Sequence, residues 1–176
     1  MAEDRKRRFE RLALPHLDAA YNLARWLAGD ATQADDLVQE AYLRAWRYFD
    51  TFRGEDMRLW LLTIVRNCFM TWARQSRTGL VFSAEPPEDS AQPLWTGEQH
   101  DPEALLLADV DSTRVNQLVA ELPVEQREVL LLREVEELSY LDIASITGLP
   151  VGTVMSRLSR ARAALRQLWR KDGAGE

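Results

Sequence analysis

Apolar residues in this chain recur at helical spacing. Ala34, Leu37, Val38, Ala41, Tyr42, Ala45, Trp46 and Phe49 repeat every three or four positions, as on one buried helix face. Asp30 stands before them as a cap, with Gln33 three residues on in a capping-box pattern. Upstream, Phe9, Leu12, Leu17, Tyr21, Leu23, Ala24 and Leu27 predict a helix from about Arg5 to Ala28, bent or divided by Pro15 and ended by Gly29. Downstream, Leu61, Ile64, Val65, Cys68, Phe69 and Trp72 predict a third helix from about Met57 to Ser76. The stretch between, Phe49 to Asp56, reads as a loop with two aromatics and one glycine.

The periodicity then stops. Pro86, Pro87 and Pro93 interrupt residues 79–101, where only Leu94 and Trp95 stand out as apolar. Helical signals resume at Asp101-Pro-Glu, a capped start that carries an acid at the positive end of the helix dipole. One helix runs to Leu122, a shorter one from Val124 to Val135, and Ser139 caps another. Ala144, Gly148 and Val154 lie four and then six residues apart across Thr147-Gly-Leu-Pro150, the spacing of a helix-turn-helix. The small residue lets two helices cross closely, the glycine permits the turn, and the β-branched residue locks the second helix on the first. Val154, Leu158, Ala161, Leu165 and Leu168 then form an inward stripe, leaving Gly152, Ser156, Ser159, Arg160, Ala163 and Gln167 opposite. The expected fold is all-α: two small helical domains, 1–78 and 102–176, joined by a linker at 79–101, with the helix-turn-helix in the second.

Composition bounds the class. The chain has 176 residues, 46% of them hydrophobic and 28% charged, enough apolar character for a real core. A single cysteine excludes a disulfide framework or a Cys-rich zinc module, and Cys68 lies on an apolar stripe, as a buried inert thiol would. Apolar runs of four residues (Leu59–Leu62, Val129–Leu132) fall far short of the ~20 that a membrane span needs. With no secretory signal read at the start, a cytoplasmic protein without membrane insertion is expected.

The net charge of −6 speaks against a free-standing nucleic-acid binder until it is divided along the chain. Residues 1–78 hold 13 Lys+Arg against 11 Asp+Glu, 79–101 hold five acids and no base, and 102–176 hold nine bases against 12 acids. Ile143 to Lys171 contains no acid and six bases, from Arg157 to Lys171, a basic helix. That charge coincides with the helix-turn-helix spacing, and its arginines suit phosphates or guanine edges, so DNA binding is favoured there over a solvated hairpin. Asp35, Asp36, Gln39, Glu40, Arg44 and Arg47 form the polar face of the best-patterned helix, with Leu43 among them. Such a face is most often simply solvated, but an apolar residue rimmed by charge can anchor a partner. On the third helix Thr63, Arg66, Asn67, Met70, Arg74 and Arg77 face outward, a sparse signal for single-stranded nucleic acid.

These runs resemble a known family. Asp35-Asp-Leu-Val-Gln-Glu-Ala-Tyr-Leu-Arg-Ala-Trp46 is similar to the core-polymerase-binding helix of bacterial sigma factors. Leu122-Pro-Val-Glu-Gln-Arg-Glu-Val-Leu130 and Pro150-Val-Gly-Thr-Val-Met-Ser-Arg-Leu-Ser-Arg-Ala-Arg162 resemble their promoter-binding domain. With two domains and no third between, the chain is similar to the extracytoplasmic-function, or group four, sigma factors. The resemblance implies that Asp36, Gln39, Glu40 and Leu43 meet RNA polymerase core. It implies that Phe52, Arg53, Arg66, Asn67 and Arg74 handle the near promoter element, with Asn67 touching a flipped base, and that the acidic linker follows the RNA exit path. Thr153, Met155, Ser156, Arg157, Ser159 and Arg160 would meet the far element in the major groove. An anti-sigma factor is an implied partner. Where the family commonly has a basic residue this chain has Met155, and Ser159 is smaller than usual. Met155 can touch a thymine methyl but makes no bidentate guanine contact, which implies a different upstream preference.

Two other classes compete. An autonomous helix-turn-helix regulator accounts for 139–171 but not for the Asp36/Gln39/Glu40 face or the acidic linker. An enzyme or metal protein could use Asp35, Asp36 and Glu40 with His16 or His100, yet no Glu-x-x-His pair, phosphate loop or nucleophile elbow accompanies them. No catalysis, cofactor or metal is expected.

Overall fold

The computed structural model describes residues 1–54, 56–77 and 114–175. The expected linker, the helix start at Asp101 and His100 lie outside the described residues. Every regular element among the described residues is helical.

The first predicted helix is two, α1 (Ala2–Ala13) and α2 (Leu17–Ala28), with a 3-10 turn at Leu14–His16 between them. Pro15 divides them because it has no N–H to donate to the carbonyl four residues back. α2 ends where Gly29 takes φ 74°, its N–H donating to the Arg25 carbonyl at 2.9 Å. The Asp30 carboxylate then accepts from the Thr32 N–H at 3.0 Å and starts α3 (Ala31–Arg47). α4 (Met57–Arg77) opens with the Leu59 N–H donating to the Asp56 carboxylate.

In the second domain a helix α5 is described over 114–120, followed by α6 (Val124–Leu130). Its continuation to Val135 is a wider π-helical turn, so the predicted helix to Val135 is found with a change of winding. α7 (Tyr140–Thr147) starts on Ser139, whose hydroxyl accepts from the Asp142 N–H at 3.1 Å. Gly148, at φ 71°, turns the chain into α8 (Val151–Gly173).

α2, α3 and α4 pack on one another, with α1 across one end. There Phe9 meets Tyr42, Trp46 and Phe49 edge-on at ring separations of 5.2–6.4 Å. Arg5 stacks 4.0 Å from the Trp46 ring and pairs with Asp50 at 3.0 Å, fixing α1 to the end of α3. α6, α7 and α8 form the second unit around Val129, Leu132, Ile143, Val154, Leu158 and Ala161, all buried.

The sequence leaves the relative placement of the two units open. In the structure α4 packs on α7 and α2 on α6, so one apolar core runs continuously from Ala20 in α2 to Ala161 in α8. Arg58 of α4 crosses the boundary to the Glu136 carbonyl at 3.2 Å and its carboxylate at 3.6 Å.

Candidate functional site

Asp36, Gln39, Glu40 and Leu43 are all exposed and lie at helical spacing on α3, so the structure brings them together as one outward stripe. Leu43 is 62% exposed. Glu40 accepts from Arg44 at 2.8 Å one turn on, which orients its carboxylate along the helix. Beside the stripe, α3 and α4 enclose an open groove of about 420 Å³ lined by Asp36, Glu40, Arg44, Cys68 and Trp72 among others. Cys68 is buried, as its apolar stripe predicts, and burial raises its thiol from the ordinary value.

The residues of α4 and its preceding loop divide into two directions. Arg53, Asn67 and Arg74 are exposed, and Asn67 and Arg74, seven residues apart, share a face. Thr71 donates to the Asn67 backbone carbonyl at 3.0 Å. Phe52 is half-buried against Trp60, ring centroids 5.1 Å apart, and shapes the loop from beneath. Arg66 departs from the expected outward face. Its side chain is 15% exposed and its Nε donates to Glu128 of α6, 62 residues away and 2% exposed.

On α8, Met155 is 51% exposed, and Ser159 and Arg160 are exposed with it. A Cβ at Gly152 would meet nothing within 4 Å, so the start of this face is open to a close-fitting partner. Ser156 is half-buried and its hydroxyl donates to the Thr153 carbonyl at 3.1 Å, which holds Thr153 and Ser156 in one local arrangement. Arg162 donates twice to Glu134, at 2.9 and 2.5 Å, so part of the basic charge of this helix is already paired. Arg157 is half-buried, and its charge also favours the ionised form of Glu128. Burial raises the Glu128 carboxyl from its ordinary value, against the opposing pull of Arg66 and then Arg157.

The pairing of Arg66 with Glu128 is missed by sequence reasoning, though a signal exists. Glu128 falls four residues after Val124 and three before Leu131, on the buried stripe of its helix. A carboxylate there needs a cation. Among the described residues no group of His, Cys, Asp or Glu is placed to hold a metal ion. His16 is half-buried and lowered in pKa by burial and by Arg58, at the mouth of a groove that Arg58, Val135 and Glu136 also line. No helix among the described residues is long and apolar enough to cross a membrane.

A helical unit with a charged outer stripe on α3 thus packs on a helix-turn-helix unit whose second helix is basic. Residues 12–78 match the family model of sigma-70 region 2, and residues 112–165 that of sigma-70 region 4. The chain is 34% identical to the RNA polymerase sigma-H factor of Pseudomonas aeruginosa, covering 91% of this chain and 85% of that protein. It is 37% identical to the ECF RNA polymerase sigma factor EcfG of Rhodopseudomonas palustris, covering 84% and 77%. The chain belongs to the extracytoplasmic-function RNA polymerase sigma factors, subunits for transcription initiation. Among solved structures, the sigma factor RpoE of Bartonella quintana, in complex with the anti-sigma factor NepR, superposes with a TM-score of 0.72 at 29% identity, over 92% of this chain and 96% of that one. CnrH in complex with the cytosolic domain of CnrY gives 0.64 at 28% identity, over 95% and 90%.

Proposed function

We propose that the chain is a dissociable initiation subunit that binds RNA polymerase core through α3, engages both elements of a promoter, and holds the opened strand. The observation that carries the reading is the disposition of three outward faces on rigid helices. The Asp36/Gln39/Glu40/Leu43 stripe offers an apolar centre rimmed by charge, the composition of a specific protein contact. The Asn67/Arg74 face offers an amide edge and a cation to a base turned out of its stack. Extruding a base costs a few kcal/mol, roughly, so a site that holds it both favours melting and reads sequence. The α8 face presents Met155, Ser159 and Arg160 to a major groove, with Thr153, Ser156 and Arg157 behind them. Arg160 can meet phosphate or guanine, and Met155 suits a thymine methyl.

The partners that follow are polymerase core, promoter DNA and an anti-sigma factor that keeps the subunit inactive, in the cytoplasm where polymerase works. The anti-sigma partner is supported by the solved relative RpoE, captured in complex with the anti-sigma factor NepR, whose likeness covers 92% of this chain. The acidic linker at 79–101 is given to the RNA exit path by the family resemblance, with which its charge agrees.

Charge reversal at Asp36 or Glu40 tests the first half of the reading. Core capture is expected to be lost from a chain that remains folded. Undiminished capture by both variants would show that polymerase binds elsewhere. For the second half, Asn67→Ala is expected to slow promoter opening, read by permanganate reactivity of unpaired thymines, while core capture stays intact.

A further inference from the structure

We propose that Glu134 masks Arg162 from DNA: the pair cancels a phosphate contact on the DNA-facing side of α8, and so keeps the free chain from settling on duplex of any sequence. This rests on the reading of α8 as the helix that enters the major groove.

Met155, Ser159, Arg162 and Arg166 follow one another at steps of four, three and four residues, which puts them on one face of α8. Arg162 lies two turns beyond Met155, about 10 Å along the axis, in a groove about 12 Å wide. At that distance from the base-facing residues an arginine stands over the groove's edge, where the phosphates run. Its donors are already engaged. The Nε and a terminal nitrogen of Arg162 both donate to one Glu134 oxygen, at 2.9 and 2.5 Å. That bond, and then Tyr140, favour its charged form. Tyr140 is itself held, with Arg133 stacked 4.6 Å over its ring and donating to the Leu138 carbonyl at 2.8 Å. By contrast Arg160, Arg166 and Arg170 are exposed and enter no ion pair among the described residues.

The pair adds little to the fold. Both side chains remain in water, 41% and 52% exposed, where an ion pair gains little Coulomb energy. Its effect falls on binding. A phosphate that takes Arg162 must displace Glu134 and then meet its bare negative charge. Phosphate contacts are alike at every sequence, so cancelling one weakens the hold on bulk DNA and leaves the choice among sequences to Met155, Ser159 and Arg160.

The test counts phosphate contacts. Binding of the full chain to a random-sequence duplex, without polymerase, is measured across a salt series that starts at low salt. The slope of log affinity against log salt is about 0.9 for each phosphate met. Glu134→Gln is expected to steepen the slope by about 0.9 and to tighten binding up to roughly fivefold, the hold of an exposed ion pair. Arg162→Ala is expected to leave the slope unchanged while Glu134 is present, and to remove the added contact from the Glu134→Gln chain. A simple change of net charge gives no such dependence on background. Equal loss of slope on Arg162→Ala in both backgrounds would mean that Arg162 already meets phosphate, and no steepening in Glu134→Gln would mean that it is out of reach. Either result overturns the proposal, as does a Glu134→Gln chain that melts far below the wild type, which would make the pair a brace of the fold. Arg160→Ala should flatten the slope in either background. No change there would count against α8 as the DNA face, whereas a normal response with no effect at Glu134 would sink the masking alone.

Discussion

Leu43 separates the demands of folding from those of binding. Its side chain is 62% exposed, in the middle of the α3 stripe. Full burial of a leucine stabilises by ~1.5–3 kcal/mol, so the share already buried in the free chain is worth below about 1 kcal/mol. Leu43→Ala also improves helix propensity slightly, which trims that cost. The remaining exposed share, if polymerase covers it, contributes about 1–2 kcal/mol, or roughly five- to thirtyfold in affinity. Urea denaturation measures the first quantity, and competition of labelled and unlabelled chain for purified core measures the second. A small stability change with a clear loss of core affinity is expected. Unchanged core affinity would refute the assignment of this face, and a stability loss of several kcal/mol would mean that Leu43 is part of the fold rather than of an interface.

Gly148 takes φ 71° with nothing within 4 Å of where a Cβ would sit, so a substitution there meets backbone strain and no clash. Gly148→Ala should lower stability by about 1 kcal/mol and Gly148→Asn by less, since asparagine tolerates this conformation; equal losses would point to a different cause. Tyr42 donates to the Ala13 carbonyl at 2.8 Å, and burial, with Asp18, pushes its pKa up to about 12. A raised value in the fold means stability that is present below pH 10 and lost as pH rises towards 12. The urea midpoint of the wild type should therefore fall more than that of Tyr42→Phe across this range, and parallel curves would contradict the sign.

Legibility in the sequence followed periodicity and caps. α3 could be read because its apolar stripe, its Asp30 cap and its charged face agree. The helix-turn-helix could be read because Gly148 and Ser139 mark the turn and the cap. Pro15 announced a break, but whether it bends one helix or separates two depends on the packing of Phe9 and Ala13 against α3 and α4. The π-helical turn at Leu131–Val135 carries no signal of its own, since Leu131, Leu132 and Val135 would share one side, opposite Arg133 and Glu134, in an ordinary α-helix as well. Arg66 was read outward because a single helix shows only which face lacks apolar residues. What covers that face is set by a helix 62 residues away, through a carboxylate whose burial becomes visible only when the two cores meet. The three outward stripes were thus legible as faces, while the covering of Arg66 was not.

Run-off transcription with purified polymerase core over fragments of the source genome, with start sites mapped, bears most directly on the initiation role. Discrete transcripts should appear only when core and this chain are both present, from starts preceded by two shared elements, while the chain alone holds duplex DNA poorly. No added transcript in the presence of core, together with tight sequence-specific duplex binding by the chain alone, would instead identify an autonomous regulator.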